Sequence, residues 1–319
     1  MSVYQWNQLE PDDKQQLAAL KPILILGPRT ISTSRIITLT KQLAEKRPLI
    51  WGCLQESHID GLNQSPQFKS LELEQLQAAL DQVGADGDAK LHPIKILHYH
   101  QRHVKYILQE LELSAVIGVY GSWHKAFHYT PIFYQLVQHD IPYKLVSSFN
   151  NQLKAEQYHQ ELEPQLADLK PEPDSSQKLT DKQLLAAANQ AARLSFDYTY
   201  QTGAALAKNQ RLLLTAHNRV VPYPAYMLHR GAAKEKQFAP PQDLNYFDTN
   251  HAEVELLLAA LEQNLDITGT SLYINLLPCP ICARMIARSP ISRIVYHHDH
   301  SQGYGFELLQ DAGKQVERV

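Results

Sequence analysis

His251-Ala252-Glu253 and Pro278-Cys279-Pro280-Ile281-Cys282 carry the residue types needed for metal-assisted hydrolysis. One imidazole and two thiolates supply three ligands to a tetrahedral Zn²⁺ and leave the fourth position for water. A structural site would close with a fourth protein ligand, whereas an open one activates water. Glu253 stands two residues past His251, too close along a helix to share the ion easily and well placed to carry protons beside it. Blander readings exist for each part. A lone histidine is ordinarily a core or surface residue, and C-x-x-C also occurs as a redox pair or as half of a zinc ribbon. A ribbon needs a second cysteine pair, yet the one remaining cysteine is Cys53, far upstream. A redox pair of the thioredoxin kind follows the first strand of its domain, and this pair lies late in the chain.

The flanking residues position these groups. Asp248-Thr249-Asn250 supplies capping side chains, and Val254 to Leu261 has the composition of the helix they start. Ser271 to Leu277 is a buried strand by its apolar run, and Pro278 opens the next helix. His251, Cys279 and Cys282 therefore sit on the N-terminal turns of two helices. There the helix dipole and free backbone N–H groups favour thiolate over thiol.

Around this centre the pattern predicts a helix over 181–194, strands over 202–208 and 211–217, and an irregular stretch from Arg219 to Thr249. A strand over 292–296, a helix over 304–312 and a strand over 314–318 end the chain. A helix between the last two strands demands a crossover, so those strands are expected to be parallel. The capping box Thr180-Asp181-Lys182-Gln183 starts this domain, after a linker at Lys170-Pro171-Glu172-Pro173-Asp174-Ser175-Ser176.

Upstream, strands are predicted at 22–27, 48–53, 94–98, 115–120 and 143–146, alternating with helices at 33–46, 71–83, 102–112 and 131–139. Near-continuous apolar strands in βαβ alternation predict a parallel sheet covered on both faces. The expected organisation is a Rossmann-like α/β domain of unassigned role over 1–150, a helical and linker segment over 151–179, and a second α/β domain over 180–319.

On the His-x-Glu and Pro-Cys-x-x-Cys residues, the second domain resembles the zinc-dependent cytidine/deoxycytidylate deaminase superfamily. Pro278 to Ile286, Ile294-Val295-Tyr296 and Leu308 to Gly313 are similar to deoxycytidylate deaminases, and His217-Asn218-Arg219 to the tRNA-adenosine branch. Where the deoxycytidylate branch usually carries Asn, two residues past the glutamate, this chain has Glu255. The resemblance implies an αβα fold with a five-stranded mixed sheet and a hydrolytic deamination. Zn²⁺ would be held by His251, Cys279 and Cys282, with Glu253 as the proton carrier. It also implies that Asn218 contacts the sugar or base, and that the backbone N–H of Ala252 contacts the base. For Asn218 the residue-level alternative is a turn-forming Asn after a strand. Relatives are commonly oligomeric, which makes a homo-oligomer the expectation.

At 319 residues, with 44% hydrophobic and 20% charged residues, the chain is long enough for two soluble cores. No apolar run is long enough to span a bilayer, and the first residues lack the features of a signal peptide. With two of three cysteines assigned to metal, a cytoplasmic protein without disulfides is expected. A net charge of −3 argues against a strongly basic nucleic-acid-binding domain. The substrate expected is thus a free cytosine nucleotide or nucleoside. The alternative is a tRNA or single-stranded nucleic-acid substrate docked by the N-terminal domain, and a third reading is a catalytically silent regulatory protein. Three further groups attract notice. Gly27 to Arg35 follows the first strand and opens a helix, where either ordinary capping by Ser32 or Thr33 or a phosphate site fits. His98 to His103 and Gly121 to Lys125 follow later strands on one sheet edge. His297-His298-Asp299-His300 carries metal-ligating types on a strand that would point them to opposite faces.

Overall fold

Apolar runs such as Ile23-Leu24-Ile25-Leu26 and Leu49-Ile50-Trp51-Gly52-Cys53-Leu54 bury both faces of their strands, which suits a sheet covered on both sides. The computed structural model describes residues 2–85, 90–173, 176–236 and 247–319. The first half runs β1 (Val3–Gln5), α1 (Pro11–Ala19), β2 (Ile23–Leu26), α2 (Thr33–Ala44), β3 (Leu49–Leu54) and α3 (Leu73–Ala85). It continues β4 (Ile94–Tyr99), α4 (Val104–Glu110), β5 (Ala115–Val119), α5 (Pro131–Gln138), β6 (Tyr143–Val146) and α6 (Gln152–Leu169). The strands form one six-stranded sheet in the order β1-β4-β3-β2-β5-β6, parallel throughout. Helix α2 presents Ile36, Leu39, Thr40 and Ala44 to the core, and Trp51 Nε1 donates to Thr40 Oγ1 at 3.0 Å. The sheet therefore grows one way from β2 through β3 and the other way through β5. Open α/β sheets bind ligands at such a reversal.

The pattern predicted five of these strands. The sixth, β1, is three residues long and joins the edge beside β4, too short for an apolar run to announce it. Helix α1 was likewise unexpected; Pro11 at its first position and Asp13 accepting from Glu10 N at 3.3 Å start it.

The second half runs α7 (Asp181–Ala192), β7 (Gly203–Lys208), β8 (Arg211–His217), β9 (Arg219–Val220), α8 (Tyr226–Arg230), α9 (Ala233–Lys236) and β10 (Thr249–Asn250). Then follow α10 (Ala252–Glu262), β11 (Ser271–Leu276), α11 (Pro280–Arg288), β12 (Arg293–His298), α12 (Tyr304–Asp311) and β13 (Gln315–Arg318). The five-stranded mixed sheet has the order β13-β12-β11-β7-β8. As expected, β12 and β13 are parallel. Period-2 alternation sorts the two faces. Leu272, Ile274 and Ile294 face a core shared with Leu256, Ala260, Ile286 and Leu309 of α10, α11 and α12. Tyr273 and Val295 face Leu184, Leu185 and Ala188 of α7. Gly203 makes the α7–β7 approach possible, because a Cβ there would lie 2.0 Å from Ala188 O.

The chain divides into two compact units: residues 1–160 with 225–246, and residues 161–224 with 247–319. The division falls elsewhere than the expected boundaries. It cuts α6, and it takes the middle of the Arg219–Thr249 stretch out of the second unit. Within the first unit, Leu228 O accepts from Ser148 N at 3.2 Å, and Glu235 Oε1 accepts from Trp123 Nε1 at 2.8 Å. Buried Met227, Leu228 and Ala232 hold the segment there. The remainder of that stretch, residues 237–246, lies outside the described residues. No described helix is long and apolar enough to cross a membrane.

Candidate active site

Strand β11 delivers the chain to Pro278, its end fixed by Leu277 N donating to His298 O at 2.8 Å. Cys279 is then the N-cap of α11, and its sulfur accepts the Cys282 N–H at 3.5 Å. The two-residue ladder of β10 with β9, pairing Asn250 with Arg219, sets the approach to His251, the N-cap of α10. The His251 side chain does not cap its own helix, which leaves the ring available to face the cysteines.

His251 Nδ1 lies 3.5 Å from Cys279 Sγ and 3.4 Å from Cys282 Sγ, and all three donor atoms lie within 4.8 Å of one another. Tetrahedral zinc, with bonds of about 2.3 Å to sulfur and about 2.0 Å to nitrogen, sets an N–S edge of about 3.6 Å. The triangle therefore fits the ion, and a donor set of one imidazole and two sulfurs suits zinc over harder cations. Cys279 is pushed down to about 3, first by the hydrogen bond with Cys282 and also by the His251 ring. Cys282, which keeps the proton of the pair, is pushed up. A cation seated among them takes the place of that proton.

Glu253 is 3% exposed, on the first turn of α10. Burial pushes its carboxyl up to about 7, while hydrogen bonding to Cys282 and the charge of His251 pull the other way. A buried carboxyl raised by burial beside a group that could hold a metal suits a proton carrier. Ala252 is fully buried as the first residue of α10, where a backbone N–H has no intrahelical acceptor.

Asn218 is buried at the end of β8, and its amide is already engaged. Nδ2 donates to Asp197 Oδ2 at 3.1 Å and to Tyr200 O at 2.8 Å, while Oδ1 accepts from Thr202 N at 2.8 Å. It thus fastens the loop from Asp197 to Thr202, the turn-forming role weighed from sequence. One lone pair of Oδ1 remains beyond these bonds. Asp197 was missed in the sequence. It is buried and accepts from Thr199 N and Tyr200 N through Oδ1; His251 is raised chiefly by its hydrogen bond with Cys279, and the charge of Asp197 adds to this. Its one sequence signal is the Asp-x-Thr turn pattern. Glu255 accepts from Asn250 Nδ2 at 2.9 Å and lies 4.0 Å from Arg219 Nη1, so it braces the entry to the His251 turn.

His297 and His298 are exposed, and Asp299 pairs with Arg318. Among the described residues His251, Cys279 and Cys282 are the group able to hold a metal. In the first unit, Ser32 caps α2 by accepting from Arg35 N, His100 pairs with Glu56 at 3.2 Å, and His98 contacts Gln5.

A family model described as the cytidine and deoxycytidylate deaminase zinc-binding region matches residues 178–298. The deoxycytidylate deaminase of Enterobacteria phage T2 is 37% identical over 71 residues, 22% of this chain and 38% of that one. ComE operon protein 2 of Bacillus subtilis (strain 168) is 24% identical over 142 residues, 44% of this chain and 68% of that one. Among solved structures, dCMP deaminase from the cyanophage S-TIM5 in complex with dCMP and dUMP has 22% identity and a TM-score of 0.36, covering 43% of this chain and 95% of that one. The chain spans only 38% of the length of the phage T2 enzyme.

Proposed function

We propose, on the premise that residues 178–298 carry the zinc-binding region of the cytidine/deoxycytidylate deaminase superfamily, that the second unit is a zinc-dependent hydrolytic deaminase of a free cytosine nucleotide of the CMP or dCMP type. The observation that carries this reading is the triangle of His251 Nδ1, Cys279 Sγ and Cys282 Sγ with the buried Glu253 carboxyl beside it. Similarity to deoxycytidylate deaminases and a net charge of −3 support the substrate class.

Bound at the triangle, Zn²⁺ supplies the Lewis acidity that makes water nucleophilic near neutral pH. Glu253 takes a proton from the attacking water and delivers it to the ring nitrogen next to the amino-bearing carbon. It then serves the departing amino group, which leaves as ammonia, so that water and cytosine become uracil and ammonia. Burial raises the Glu253 carboxyl, which favours its holding a proton between transfers. The Ala252 N–H, without an intrahelical partner, would hold the base, and Asn218 holds the neighbouring loop in shape.

The reading is tested by mass spectrometry of products from CMP, dCMP, cytidine, guanine and unmodified tRNA, with Glu253→Ala as control. Conversion of CMP or dCMP that disappears in the control is expected. Inosine in tRNA with free nucleotides untouched would replace the substrate assignment with a nucleic-acid one. Zinc-loaded protein inert on every substrate would make the unit a non-catalytic one.

A further inference from the structure

The first unit buries a cation for which no carboxylate among the described residues forms a hydrogen bond or ion pair. Arg29 follows β2 at the sheet edge where the strand order reverses between β2 and β5. Its side chain is fully buried. Nη2 donates to Gln67 O and to the Tyr158 hydroxyl, and the guanidinium lies 4.9 Å from the Tyr158 ring centre. Nε and Nη1, which carry three of the five guanidinium N–H groups, are buried without an acceptor. Burial pushes Arg29 down from its usual range, opposed by Tyr158 and, among the described residues, by no carboxylate.

A second group nearby lacks a partner. Ser70 pairs with Arg29 across an isolated antiparallel bridge, and its Oγ is buried without a hydrogen bond. Residues opposite each other on such a ladder project to the same face. The surrounding turns are built to admit the arginine stem. Gly121, after β5, has φ +78°, and a Cβ there would stand 2.9 Å from Arg29 Cδ. Ser122 Oγ accepts from Arg29 N at 3.0 Å and ties the two turns together. The first turn of α2, four residues on, contains no acidic residue.

An uncompensated buried charge is far more costly than an unmade neutral hydrogen bond. Donors without acceptors on a cation and on a hydroxyl, at a ligand-binding edge, define what is missing as an oxyanion. We propose that the first unit binds a small phosphate-class oxyanion, whose oxygens accept from one unpartnered N–H of Arg29, at Nε or Nη1, and from Ser70 Oγ. The proposal is independent of the chemistry of the second unit.

The test uses the full chain at constant ionic strength, with inorganic phosphate, ribose 5-phosphate, ribose and chloride as probes, read by melting temperature and calorimetry. Saturable stabilisation by a phosphate and none by ribose or chloride is expected. Tighter binding of ribose 5-phosphate would identify a phosphorylated metabolite as the occupant, and tighter binding of inorganic phosphate the free ion. Arg29→Met is expected to abolish the response. Ser70→Ala, which leaves the guanidinium and its packing in place, is expected to weaken it roughly fivefold and serves if Arg29→Met does not fold. No response in the wild type, full response in Arg29→Met, or unchanged affinity in Ser70→Ala overturns the proposal.

Discussion

His251 Nδ1 stands 3.4 Å from Cys282 Sγ across 31 positions of sequence, and both residues lie at the N-terminal ends of helices laid on one face of the mixed sheet. Removing either donor leaves two. Cys282→Ser is therefore expected to weaken zinc by more than the roughly 10–100-fold that loss of an outer-shell partner costs. Competition with a chelator and metal analysis after dialysis measure this. Unchanged affinity would remove Cys282 from the coordination set.

Glu253→Gln keeps the shape of the buried side chain and removes the proton transfer proposed for it. The turnover number is expected to fall by about 10²–10⁴-fold, with one zinc per chain retained. Parallel loss of zinc and activity would instead assign Glu253 to metal binding.

Acid should loosen the second unit through one ion-pair cluster. Arg293 bonds both oxygens of Asp181, at 3.0 and 2.8 Å, and both oxygens of Glu317, at 3.1 and 2.6 Å. The hydrogen bonds from Arg293 hold both carboxylates below their usual range. A carboxylate with a depressed folded value contributes stability that is complete above its unfolded value, about pH 4, and is lost as pH falls through the folded one. Both acids are partly exposed, so Arg293→Met is expected to cost about 1 kcal/mol or less at pH 7. That difference should vanish toward low pH. Urea midpoints collected from pH 7 downward test this, and a gap between the two proteins that does not change with pH counts against it.

Asn218→Ala strips partners from Asp197 Oδ2, Tyr200 O and Thr202 N. A destabilisation of about 1–3 kcal/mol is expected from the groups left unsatisfied. Denaturant titration reads the loss, and kinetics on the same variant separate a second role. Stability kept with KM raised would make Asn218 a substrate contact and leave the loop to other supports.

Packing around the cysteines gives another handle. A Cβ on Gly305 would lie 2.3 Å from Pro278 O, the carbonyl just before Cys279. Gly305→Ala should push α12 from the start of α11, costing about 1–3 kcal/mol and lowering zinc affinity together with the melting temperature. Zinc affinity held at the wild-type value would show that the Cys279 turn is insulated from α12.

Much of this was legible locally. Capping residues, Pro278 and the apolar runs act within a turn or two, so the helix starts that carry His251, Cys279 and Cys282 could be placed from spacing. Near-continuous apolar strands implied the parallel sheet, and the helix before β13 required that strand to run parallel to β12. What the sequence could not determine depended on partners distant along the chain. β1 exists because the β4 edge offers it hydrogen bonds, and residues 225–236 belong to the first unit because Leu228 and Glu235 find their partners there. Both amide hydrogens of Asn218 are claimed by a loop whose folding no short window encodes. Arg29 looks like any loop arginine in sequence; only packing takes its charge out of water and leaves Nε and Nη1 without an acceptor. Local chemistry chose the residues and the elements that carry them, while burial, which sums contributions from the whole chain, decided which polar groups are satisfied and which still need a partner.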